Sequence, residues 1–122
     1  MRRLVLGVIA LLVASPVAIA GGWATVQLSS TPQGLHAGEV WSVRLTVLQH
    51  GRTPLAGVVP RVLIHKPGAL SRAFVATPTR KVGVYRARVV FPSPGTWRWQ
   101  VDDGFGRVHT YFAVRILRAS GA

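Results

Sequence analysis

Cysteine is absent from the 122 residues, which excludes disulfide staples, thiolate nucleophiles, Cys-based metal sites and a lipid-modified N-terminal cysteine. Carboxylates are nearly as scarce: Glu39, Asp102 and Asp103 stand against fifteen Lys and Arg, for a formal charge of +12. General acid–base work needs two carboxylates across a cleft, and the one adjacent pair precedes Gly104, where a hairpin turn favours Asp-Gly. Nucleophilic chemistry fares no better, with no G-x-S-x-G elbow and with Ser93 held between Pro92 and Pro94. Gly104-Phe105-Gly106 opens no helix, as a phosphate loop would. No stretch carries apolar residues at helical spacing for three turns. The chain is therefore expected not to be an enzyme.

What is present begins with a leader. Arg2 and Arg3 precede an apolar run over residues 4–13, Pro16 follows, and Ala18-Ile19-Ala20 stands before Gly21-Gly22. A charged start, a hydrophobic middle and a small-x-small ending are the parts of a secretory signal. The expected organisation is a signal over residues 1–20 and one domain over 21–122, with an uncleaved membrane anchor as the other reading, because residues 4–20 approach the roughly 17–25 that span a bilayer. Either way the domain works outside the cytoplasm, whether periplasmic, secreted or membrane-anchored. A domain of this size buries on the order of 65% of its unfolded surface, and without disulfides its core must hold it together.

Beyond the leader the hydrophobic period is two. Trp41, Val43, Leu45 and Val47 alternate with Ser42, Arg44 and Thr46, and Tyr85, Ala87, Val89 and Phe91 alternate with Arg86, Arg88 and Val90. That is the signature of half-buried antiparallel strands. Further runs cover residues 23–29, 58–65, 72–77, 96–101 and 107–117, separated by Pro-, Gly- and Asp-containing turn clusters such as Thr31-Pro32-Gln33-Gly34 and Lys66-Pro67-Gly68. About seven short strands at regular spacing predict an all-β, two-sheet sandwich. Trp97 and Trp99, two apart on one strand, share a face, and with Trp41 and Tyr85 they are expected to fill the core, since large aromatics dominate small interiors.

The run Gly83-Val84-Tyr85-Arg86-Ala87-Arg88-Val89-Val90-Phe91-Pro92-Ser93-Pro94-Gly95-Thr96-Trp97-Arg98-Trp99-Gln100-Val101 resembles the G-x-Y-x-A-x-V-x-F-P-x-x-G-x-W-x-W-x-V signature of YtkA-like domains. Gly22-Trp23-Ala24 and Gln49-His50-Gly51-Arg52-Thr53-Pro54 extend the likeness over most of residues 22–116. The resemblance implies an immunoglobulin-like antiparallel sandwich on an exported protein. It also implies a relation to FixH-type proteins, which accompany assembly of copper-containing respiratory oxidases.

Copper then becomes the ligand to test. Cu(I) favours Cys or Met, and Met1, the only methionine, belongs to the leader. The four histidines are His36, His50, His65 and His109. His36 and His50 flank the Trp41 strand and so lie about 30 Å apart at roughly 3.3 Å per residue. His65 is expected near the His36 end and His109 near the His50 end. Two imidazoles per end fall short of the three or four protein ligands of ordinary zinc-type sites, and Val84 stands where many family members carry His. No cofactor is expected; if copper binds, His50 with His109 is the candidate pair.

Charge gives the other route to function. Without Arg2 and Arg3, thirteen Lys and Arg remain, eleven of them Arg, and such a field draws polyanions. In immunoglobulin-type sheets the strands bearing Arg44 and bearing Arg86 with Arg88 are neighbours, and the alternation turns all three outward, while Arg61, Arg98 and Arg115 point outward from the other sheet. Charge spread over both faces offers no basic element for a nucleic-acid groove, and export removes nucleic acid as a partner. The expectation is a non-catalytic accessory or interaction module that docks on an acidic protein or membrane complex, in its most specific form an assembly factor for a respiratory or copper enzyme. The second reading is a basic envelope domain on anionic lipid or cell-wall polymer.

Overall fold

A computed structural model describes residues 22–120; the signal or anchor over residues 1–20 lies outside the described residues. The strands are β1 (Ala24–Leu28), β2 (Val40–Gln49), β3 (Thr53–Pro54), β4 (Arg61–His65), β5 (Arg72–Val75), β6 (Thr77–Pro78), β7 (Val84–Val90), β8 (Gly95–Asp102), β9 (Val108–Thr110) and β10 (Val114–Ile116). Among the described residues there is no helix, and so none long and apolar enough to cross a membrane. One sheet runs β1-β2-β7-β6 with β3 on the end of β2; the other runs β9-β8-β4-β5 with β10 also on β8. Every pairing between these strands is antiparallel.

The alternation in the sequence becomes burial. On β2 Trp41, Val43, Leu45 and Val47 are buried, and on β7 Tyr85, Ala87 and Val89 join them. On β8 Trp97, Trp99 and Val101 are buried, facing Val62 and Ile64 of β4 in the same core cluster. Each fully buried Val or Ile contributes about 1.5–3 kcal/mol to folding. Trp41 of the first sheet meets Trp99 of the second edge to face at 5.4 Å, and Phe91 meets Trp97 at 5.6 Å. The indole N–H groups carried inward are all satisfied: Trp41 Nε1 donates to Ser30 Oγ, Trp97 Nε1 to the Ser93 carbonyl and Trp99 Nε1 to the Phe112 carbonyl, at 2.8, 2.8 and 3.0 Å. The Tyr85 hydroxyl donates to the Leu55 carbonyl at 2.6 Å and accepts from Val58 N at 3.3 Å, which fastens the 55–60 connection to β7.

Three predicted runs differ in detail. The run over 107–117 is two strands: Tyr111, stacked flat on Trp99 at 4.3 Å, still donates its N–H to the Trp99 carbonyl at 3.3 Å, and the break falls at Phe112, whose carbonyl goes to the Trp99 indole. The run over 72–77 divides between sheets: Ala76 N donates to the Pro60 carbonyl, after which Thr77 and Pro78 pair with β7. The run over 58–65 starts its ladder only at Arg61, after Pro60, a residue without an N–H to give.

Candidate functional site

The register of β2 and β7 places Arg44 directly opposite Arg86, and Ser42 opposite Arg88. Their inward neighbours Val43, Leu45, Ala87 and Val89 are fully buried, so the three arginines stand exposed on the outer face. Like charges directly opposite on a sheet destabilise it, and among the described residues no carboxylate pairs with them. Glu39 Oε1 accepts from His36 N at 2.7 Å, Asp102 Oδ2 accepts from Arg61 Nη2 at 2.8 Å, and Asp103 is buried against His109. Arg86 and Arg88 continue over the sheet edge into a groove of about 360 Å³ whose other walls are Ala73, Phe74, Val75 and Thr77. The result is a cationic face with an apolar margin.

On the other sheet the positive side chains are more dispersed. Arg98 lies opposite His65, Arg115 opposite Thr96, and Arg61 is engaged by Asp102 across the strand pair. A concavity of about 550 Å³ lies on this face, with Leu63, Ala73 and Ala113 among its apolar lining and Arg98, His65 and Gln100 among its polar groups. His65 Nδ1 and Ser71 Oγ are 3.0 Å apart beside it. The pair has the reach of a base and a nucleophile, but both residues are exposed and all three carboxylates are engaged elsewhere, leaving none to orient the imidazole. Tyr111 at the far side is half-buried, and burial pushes its hydroxyl above the ordinary tyrosine value.

The histidines have separate employment. His36 Nδ1 donates to the Arg118 carbonyl at 2.8 Å. His50, at φ +53° in the turn after β2, packs on Trp23 with ring centroids 4.9 Å apart. His109 Nε2 lies 2.8 Å from Asp103 Oδ2. The proposed copper pair therefore consists of one imidazole against an indole and one already bonded to a carboxylate. Among the described residues no three of His, Cys, Asp and Glu gather within reach of a single ion. This donor set does not fit copper, which takes Cys, Met or several imidazoles.

Asp103 escaped sequence reading. The Asp102-Asp103-Gly104 turn is present, with Gly104 at φ +73° and its missing Cβ position 2.8 Å from the Val59 backbone nitrogen. Asp102 faces Arg61, whose hydrogen bond is the chief reason its carboxyl is held below the usual range. Asp103 turns inward, wholly buried, and accepts from Phe105 N and Arg107 N at 2.6 and 3.2 Å as well as from His109. The one available signal was His109 six residues on, at the start of a strand returning past the turn. The opposition of Arg44 and Arg86 also needed the register, which residue alternation alone leaves open.

Comparison with curated proteins gives no match. A family model described as YtkA-like matches residues 22–102, from the first described residue through the last residue of β8. That stretch holds the Arg44–Arg86 pair, the inter-sheet tryptophans and most of the core, and on it the chain belongs to the YtkA-like family.

Proposed function

We propose that the chain is an exported, non-catalytic interaction module that docks through Arg44, Arg86 and Arg88 on an acidic surface of a protein partner, in the first instance a membrane complex. The observation that carries this reading is the direct opposition of Arg44 and Arg86 with none of the chain's three carboxylates beside them. A sheet that keeps two guanidinium groups face to face bears a repulsion that a partner's carboxylates would convert into paired, charge-assisted hydrogen bonds. The sheet orders β1-β2-β7-β6 and β9-β8-β4-β5 around one core support an immunoglobulin-like sandwich as the scaffold. An assembly role for a respiratory or copper enzyme is the specific form that the family suggests, and copper ligation by this chain forms no part of it.

The test is capture of partners from solubilised membranes by the tagged chain, followed by binding of the identified partner to purified wild type and to Arg44→Gln/Arg86→Gln/Arg88→Gln. Binding is expected to fall with the triple substitution and to weaken between low and physiological salt, where the screening length shortens to about 8 Å. An association indifferent to both would overturn the reading.

A further inference from the structure

One end of the molecule collects cations that the sheet face does not use. The turn after β2 carries Arg52, the turn before β7 carries Arg80 and Lys81, and the loop before β9 carries Arg107, all exposed. Close contacts bring these segments together. Val47 N donates to the Gly83 carbonyl, the Gly83 Cα approaches Pro54, Tyr85 OH joins Leu55 to Val58, and Val59 backs onto Gly104. Of the two carboxylates at this end, Asp103 is wholly buried and held by His109, and Asp102 is paired with Arg61. The connections at the opposite end, residues 29–39, 66–71, 91–94 and 117–120, carry Lys66, Arg118 and Glu39. Lys66 there is tied to Ser93 Oγ and the Pro94 carbonyl at 2.8 Å each.

Apolar side chains are exposed at both ends, Leu70 and Leu117 at the opposite one, and at the cationic end they accompany the charge. Trp23 is 42% exposed on His50, and Val82 and Val59 are about 60% exposed, at 61% and 59%. Basic side chains at the same end as an exposed indole and exposed valines match the headgroup region of a bilayer, where Trp is enriched and Lys and Arg are drawn to anionic lipid. The described chain begins at this end, at Gly22, directly after the apolar stretch of residues 4–20 in the sequence.

From these placements we infer that the end bearing Arg52, Arg80, Lys81 and Arg107 rests on an anionic lipid surface. In that orientation the strands stand away from the bilayer and the Arg44–Arg86 face looks sideways toward a neighbouring protein. The surface is separate from the one proposed above, and the two are tested independently.

The absence of native cysteine allows a unique probe. Val82→Cys carries an environment-sensitive dye at the cationic end, and Leu70→Cys, at a site 79% exposed in the opposite connections, carries the same dye as control. The full chain is bound to vesicles of phosphatidylcholine with or without phosphatidylglycerol. With phosphatidylglycerol the dye at 82 is expected to shift to the blue and lose access to an aqueous quencher, while the dye at 70 does neither. Arg80→Gln/Lys81→Gln in the labelled chain should abolish the response, and Arg44→Gln/Arg86→Gln/Arg88→Gln should leave it intact. Silence at 82, an equal response at 70, an equal response without phosphatidylglycerol, or loss of the response on changing the sheet arginines would overturn the inference. Both label sites are exposed, so neither substitution removes a packed side chain.

Discussion

The Asp103 carboxylate holds the His109 ring at 2.8 Å, Oδ2 to Nε2, with Asp103 wholly buried and the His109 side chain 24% exposed. A carboxylate oxygen accepting from this ring nitrogen takes the tautomer that carries its proton on Nε2. Oδ1 of the same residue caps the N–H groups of Phe105 and Arg107, and one side chain thus joins the turn to β9. Asp103→Ala leaves these donors without their acceptor and is expected to lower unfolding free energy by about 1–3 kcal/mol. Asp103→Asn keeps an acceptor for the turn and should cost clearly less. Urea titration followed by tryptophan emission measures both; an alanine variant within about 0.5 kcal/mol of wild type would contradict the assignment.

Arg86 gives the opposite sign. Since Arg44 faces it across β2 and β7, Arg86→Gln should stabilise the isolated protein by roughly 0.2–1 kcal/mol at low salt. Added salt should raise the stability of wild type and narrow its gap from the variant. On the docking proposed above, the same change should weaken partner binding, so that stability and docking move in opposite directions. Denaturant midpoints at two ionic strengths provide the check.

Asp102 makes a modest acid-labile contribution. The Arg61 hydrogen bond is the main cause of its lowered carboxyl value, so the folded state holds the charged form more firmly than the unfolded chain does. The resulting stability is present above the ordinary carboxylate value and is lost as pH falls through the depressed one. The Arg61 and Asp102 side chains are 43% and 24% exposed, and solvent screening keeps the pair within about 1 kcal/mol. Arg61→Gln should therefore be slightly less stable than wild type at neutral pH, with the difference vanishing in strong acid. A gap that persists unchanged at the acid end would refute it.

Tyr111 acts at the other extreme. Burial beside Trp99 raises its hydroxyl, so stability is whole below the unfolded tyrosine value near 10 and declines as pH climbs through the folded one. Tyr111→Phe should remove that part of the alkaline loss. Ultraviolet absorbance titration of wild type should show one tyrosine ionising later than in the unfolded chain.

Trp41, Val43, Leu45 and Val47 announced their shared face because strand geometry fixes a period of two whatever the partner strand. The same rule placed Tyr85, Ala87 and Val89. It was silent where a side chain competes with the ladder: the Trp99 indole takes the Phe112 carbonyl, a partner within reach only after the sheet has formed. It was equally silent on which aspartate of a turn faces inward, since Asp102 and Asp103 are locally equivalent and only Arg61 and His109, distant in sequence or across a loop, distinguish them. The outward direction of Arg44 and Arg86 was legible in each strand alone. Their direct opposition depends on a β2–β7 register that no local pattern encodes.

The perpendicular contact of Trp41 with Trp99, at 5.4 Å and 89°, has an optical corollary. Two indoles this close and this skewed couple their electronic transitions, and the resulting circular-dichroism couplet exists only while the layers that carry them stay in register. The chain contains a built-in spectroscopic gauge of layer separation, readable without any label.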